Sequence, residues 1–119
     1  MTLLILSVGI FYGCHSTIIV EPDVTLLPYA KVGQYYEQGI KIRANSGFFV
    51  AVGPMNDPII MTNFNDDHFT VEYDEDTFDN TIWIRGVPKE QGMYYIHVST
   101  GFYGGGRLHF ERTFTLYAE

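Results

Sequence analysis

Basic residues are scarce in this 119-residue chain. Lys and Arg total 7 against 14 Asp and Glu, giving a formal net charge of −7. No basic cluster occurs anywhere in it. Such a chain is repelled by nucleic-acid phosphates and anionic headgroups, which excludes nucleic acid as a partner. Cysteine is nearly absent. A single Cys14 cannot close an intramolecular disulfide, so the core stands on packing alone. No helical period longer than two turns follows residue 13, and there is no internal repeat. The signatures of common catalytic sites are missing too: no Gly-x-Ser-x-Gly, no His-Glu-x-x-His and no phosphate-binding loop. The expectation is a chain that is not an enzyme and carries no cofactor.

What is present favours strands. Nine Phe, nine Tyr and one Trp suit a pleated, half-buried surface, and twelve Gly with five Pro supply turns. The length allows one domain and one core. The clearest stretch is 82–98. Ile82 and Ile84 share one face with Trp83 and Arg85 on the other; Gly86 and Pro88 end that strand. Gly92 then opens another strand, with Tyr94, Ile96 and Val98 on one face. Further strands are expected over 36–42, within the Gly47–Gly53 apolar run, over 59–62, and through Phe69, Val71 and Tyr73. The last lies over 107–117, where Leu108, Phe110, Phe114 and Leu116 share a parity. Arg112 shares that parity as well, which calls for a bulge or an edge position. The two apolar runs of 16–27, split by Glu21-Pro22-Asp23, read as an edge strand kinked at proline.

Residues 1–13 are apolar and uncharged, too short to cross a bilayer, where about 20 residues are needed. Followed by Gly13-Cys14, they resemble a bacterial lipoprotein signal, in which the Cys is acylated and becomes the new N-terminus. The alternative is an N-terminal strand ending in a free thiol. The lipoprotein resemblance implies lipidation at Cys14. With His15 rather than Asp after it, it also implies placement at the outer membrane, facing the periplasm. The segment Leu27-Pro28 through Val32-Gly33 to Ile42, together with Ile84-x-Gly86-x-Pro88 and Gly92-x-Tyr94-x-Ile96-x-Val98, resembles the immunoglobulin-like, cadherin-like domains of bacterial envelope proteins. Glu90-x-Gly92-x-Tyr94 also matches the corner at which a Tyr hydroxyl of such sandwiches bonds back to nearby backbone. The resemblance implies an all-β, immunoglobulin-like antiparallel β-sandwich of seven to eight strands over 26–119, after a signal at 1–13 and a tether or edge strand at 14–25.

Several candidate sites follow. The Gly101–Gly106 loop carries Phe102 and Tyr103, aromatic candidates for partner contact. Residues 63–80 hold seven of the fourteen acids, and Asp74, Glu75 and Asp76 head a polar run that could contact a basic partner. With Asp66, Asp67 and Asp79 that run could offer oxygens to Ca²⁺, although it lacks EF-hand spacing; the plainer reading is a solvated loop. His97 and His109 are expected across a hairpin, with Glu111 the nearest third ligand for a metal; the plainer reading is outward histidines without one. The function expected is a non-catalytic, lipid-anchored envelope protein that binds or positions a partner protein, or a glycan. The alternatives are an envelope inhibitor or immunity-type protein and a Ca²⁺-dependent adhesion module.

Overall fold

The computed structural model describes residues 17–44, 49–50, 58–73, 80–102 and 108–119. Eight strands form: β1 (Ile18–Glu21), β2 (Tyr36–Ala44), β3 (Phe49–Val50), β4 (Ile59–Thr62), β5 (Phe69–Tyr73), β6 (Thr81–Gly86), β7 (Gly92–Phe102) and β8 (His109–Ala118). One sheet has the order β1-β2-β6-β5. In the other, β8 pairs one side of β7, while β3 and β4 share its other side. Every strand pair is antiparallel. Phe49 faces Phe102 and Ile59 faces Ser99, so the register along β7 advances by seven residues between β3 and β4. Eight strands thus fill seven positions of an all-β sandwich.

Alternation decides which side chains enter the core. Ile40 and Ile42 of β2, Ile82 and Ile84 of β6, Ile96 and Val98 of β7, and Phe114 and Leu116 of β8 are all fully buried in one cluster. Fully burying each such side chain is worth about 1.5–3 kcal/mol. The β7–β8 ladder runs unbroken from Gly92↔Ala118 to Gly101↔His109, so no bulge accommodates Arg112. The edge explanation holds instead. The Arg112 guanidinium lies 5.4 Å from the Phe110 ring centre and 5.7 Å from that of Phe114, and it donates to Asp23 Oδ1 at 3.0 Å. An inward-parity cation is tolerated because its head escapes past the sheet edge.

The proline kink also has a clear outcome. After β1 the chain passes Pro22 and leaves the first sheet. Thr115 donates to the Thr25 carbonyl, while Leu27 and Ala30 donate to the carbonyls of Thr115 and Tyr117. Residues 25–32 therefore run parallel to β8 and close its outer edge. Leu27 and Ala30 are buried beneath this crossing.

One end of the sandwich is an aromatic plug. Phe64 stacks on Phe69 at 5.4 Å, and Tyr94 meets both edge-on at 5.1 and 5.4 Å. The Tyr94 hydroxyl donates to the Glu90 carbonyl, the corner bond expected from Glu90-x-Gly92-x-Tyr94. Tyr36 joins the plug against Phe69, and its hydroxyl donates to the Pro28 carbonyl at 2.8 Å. Gly86 makes the turn beneath possible. Its φ is +128°, and a Cβ there would lie 1.9 Å from the His68 carbonyl oxygen, which accepts the Val87 N–H at 2.7 Å.

Two outcomes are expected. Gly86→Ala, which combines a forbidden φ with a backbone clash, should cost at least about 2 kcal/mol in urea unfolding. Burial pushes the Tyr36 phenol up to about 12. Its contribution to stability is complete below pH 10, where the unfolded phenol keeps its proton too. That contribution fades as pH rises through the folded value. Urea midpoints should therefore fall between pH 10 and about 12, and Tyr36→Phe should flatten that slope.

Candidate functional site

The two outward faces of the sandwich differ in character. The face of β1, β2, β6 and β5 is charged: Glu37 lies 3.3 Å from Arg85, Glu21 lies 3.9 Å from Arg43, and Lys41 and Glu72 are exposed. The Arg85 guanidinium covers Trp83 at 4.4 Å, and Trp83 packs over Gly39 on the neighbouring strand. The face of β4, β7 and β8 is different. Its odd-numbered positions are Ile59 and Met61 on β4, Met93, Tyr95, His97 and Ser99 on β7, and His109 to Tyr117 on β8. Met61 is 63% exposed, and Tyr95, Met93 and Ile59 are each more than 40% exposed. Tyr29 extends the face past β8, meeting Tyr117 edge-on at 5.9 Å. A single carboxylate, Glu111, stands among these strand positions. In a chain of net charge −7, this is the surface a partner can approach with little electrostatic opposition.

Glu111 organises the centre of the face. One carboxylate oxygen lies 3.0 Å from His97 Nε2 and the other lies 3.8 Å from His109 Nε2. His97 Nδ1 bonds to the Thr113 hydroxyl at 2.7 Å, and His109 Nε2 lies 3.1 Å from the Ser99 hydroxyl. The register explains the grouping: His97 faces Thr113, Ser99 faces Glu111 and Gly101 faces His109, all with outward parity. The sequence reading put His97 and His109 across a hairpin with Glu111 beside them; they lie on paired strands but not opposite each other, and Glu111 stands between them. Their chemistry is a hydrogen-bonded ladder. Both nitrogens of His97 are engaged, and among the described residues no group of three His, Cys, Asp or Glu is arranged to hold a metal ion. Ser99, His109 and Glu111 are not arranged as a catalytic triad. Ser99 and Glu111 approach the same nitrogen of His109, whereas a triad needs the acid on the nitrogen opposite the serine.

Asn63 ties the end of β4 to this face. Its side chain donates to the Met93 carbonyl at 3.1 Å and accepts from the Tyr95 N–H at 2.8 Å. A polar cleft of about 620 Å³ opens next to it, at the aromatic end, lined by Asp66, Asp67, His68, Lys89 and Glu90 over Phe64 and Tyr94. Asp66 is committed to the turn, where its carboxylate accepts the His68 N–H at 2.8 Å. Asp66 and Asp67 precede β5, and Asp79 lies outside the described residues.

Phe102 requires a correction. It is the last residue of β7 and is only 6% exposed, a core residue rather than a loop-tip contact. The inward parity of Ile96, Val98 and Thr100 simply continues to it, and the glycines after it obscured that continuation. Tyr103, Asp74, Glu75, Asp76 and Cys14 lie outside the described residues. The face of Met61, Tyr95 and Met93 was missed, although its signal was present as large apolar residues at outward parity.

No protein-family model matches the chain, and no curated protein matches it. Among solved structures, the fold is similar to part of an endo-fucoidan hydrolase of glycoside hydrolase family 107. The TM-score is 0.54 and the identity 14%, over 87% of this chain. The chain spans 14% of that enzyme's length, and at this identity the likeness is one of fold.

Replacing Asn63 by Ala leaves the Tyr95 N–H without its side-chain acceptor. The bond is exposed, so the expected cost is about 0.5–1.5 kcal/mol. Hydrogen exchange at Tyr95 should accelerate, while exchange at Ile40 and Ile84 in the other sheet follows global stability alone.

Proposed function

We propose that the chain is a non-catalytic, immunoglobulin-like module, held in a bacterial envelope by acylated Cys14, that docks a partner protein on the β4–β7–β8 face. The observation carrying this reading is the contrast between the two outward faces, one ion-paired and the other apolar with a single carboxylate. Exposed Met and Tyr around a polar centre are what protein interfaces favour. The immunoglobulin-like assignment draws on three features. The order β1-β2-β6-β5 opposite β8-β7-β3/β4 corresponds to the four-plus-three arrangement of that fold. The Tyr94 corner and the crossing of residues 25–32 onto β8 agree with it. The anchor at Cys14 and placement at the outer membrane draw on the sequence resemblance of residues 1–14.

A glycan is the second reading, favoured by the three tyrosines Tyr29, Tyr95 and Tyr117 on one face, which offer rings for sugar stacking. The similar portion of fold in an enzyme named for a glycan substrate agrees with it.

The test has two parts. Intact mass of the protein from detergent-extracted envelopes of its native host should begin at Cys14 and carry acyl chains; a mass beginning at Met1 with a free thiol refutes the anchor. A photo-crosslinking residue at Tyr95 should capture a discrete protein that the same residue at Lys41, on the charged face, does not. Equal capture from both faces, or none from either, refutes the docking face. Retention on a glycan surface abolished by Tyr95→Ala, without protein capture, establishes the second reading in its place.

A further inference from the structure

The sandwich protects its strand edges unevenly. The outer edge of β8 is closed from Thr115 onward by residues 25–32, and the part before it carries Glu111 and Arg112. At the other edges of the described sheets, β1 ends in Glu21 before Pro22, and β5 carries Glu72. Charges, prolines and covering segments of this kind stop strands pairing with other chains. β4 has no charge or proline along Ile59-Ile60-Met61-Thr62, no described segment covers its outer edge, and no charge occurs from Pro58 to Asn65. Only Ile60 of its four residues is not exposed.

The open hydrogen-bonding groups of β4 can be assigned. Asn63 stands opposite Tyr95 in the continued register and donates its N–H to the Tyr95 carbonyl at 3.4 Å. Bonded and non-bonded pairs alternate in an antiparallel ladder. Met61 and Ile59 therefore direct their N–H and C=O groups toward β7, and Ile60 and Thr62 direct theirs away from it. No described residue of another strand pairs with that outward row.

We infer that β4 pairs antiparallel with β4 of a second copy of this chain, about a two-fold axis at Met61. Pro58 selects the register. Centring the axis on Ile60 would place Thr62 opposite Pro58, which has no N–H to give. Centring it on Met61 places Ile60 opposite Thr62 on both sides, so each outward N–H and C=O finds a partner. The occupant is a second copy because an uncharged, apolar segment is complementary to itself under a two-fold and carries none of the chain's net charge of −7. The pairing joins two β4–β7–β8 faces into one continuous sheet surface. It does not depend on the partner proposed for that face.

Sedimentation equilibrium of the full chain should show a monomer–dimer equilibrium. Met61→Lys places two like charges opposite each other at the axis and should raise the dissociation constant at least about tenfold. Met61 is 63% exposed, so the fold tolerates that change. In a full-length Cys14→Ser background, Met61→Cys should form an intermolecular disulfide readily with oxidised glutathione. The two Cα atoms of a central non-bonded pair lie about 4.5 Å apart, within disulfide range. Ile59→Cys, which faces Asn63 of the other copy in this register, should not. A chain that stays monomeric up to about 1 mM, a weak-binding limit, overturns the inference. Equal crosslinking of Met61→Cys and Ile59→Cys, or a dimer indifferent to Met61→Lys, overturns it as well.

Discussion

Two sheets held face to face by packing alone set the terms for this structure. With one cysteine in the chain there is no covalent tie between the layers, so Ile40, Ile42, Ile82 and Ile84 must hold Ile96, Val98, Phe114 and Leu116 through shape and exclusion of water. This demand reserves the inward positions of four strands for apolar groups. The one cation at such a position, Arg112, survives by leaving the core sideways toward Asp23. Its side chain becomes a brace for the crossing segment as a result.

Most of this architecture was legible in the sequence because strands announce themselves by alternation. β4 and β5 fall where their patterns put them, and Tyr94 closes the corner that its spacing with Glu90 and Gly92 suggested. Legibility failed where alternation was interrupted by residues that carry two meanings. Glycines at 101 and 104–106 read as a loop, yet Phe102 belongs to the inward row of β7. The apolar run 47–53 read as one central strand, and the described part of it is the two-residue β3, with β4 taking up the edge of β7 seven residues out of register. That offset is a tertiary fact with no local signature.

The candidate site was readable only in part. His97, His109 and Glu111 could be brought together by parity, because cross-strand neighbours follow from register. Which contacts they make depended on rotamers: Thr113 and Ser99 each approach a ring nitrogen, and Glu111 lies between the two rings. The apolar face around Met61 and Tyr95 escaped attention for a different reason. Exposed apolar residues are common on any protein, and only the charged state of the opposite face makes these distinctive.

The crossing of residues 25–32 also shapes how the domain bears load. The segment runs parallel to β8, and five backbone bonds join them, involving Thr25, Leu27, Ala30 and Val32 with Thr115, Tyr117 and Glu119. A pull applied between the residue-17 end and Glu119 drags the two strands along their lengths in opposite directions. The bonds are then strained together in shear, rather than opened one after another like a zipper. A domain built this way resists extension at the join between residues 25–32 and its last strand.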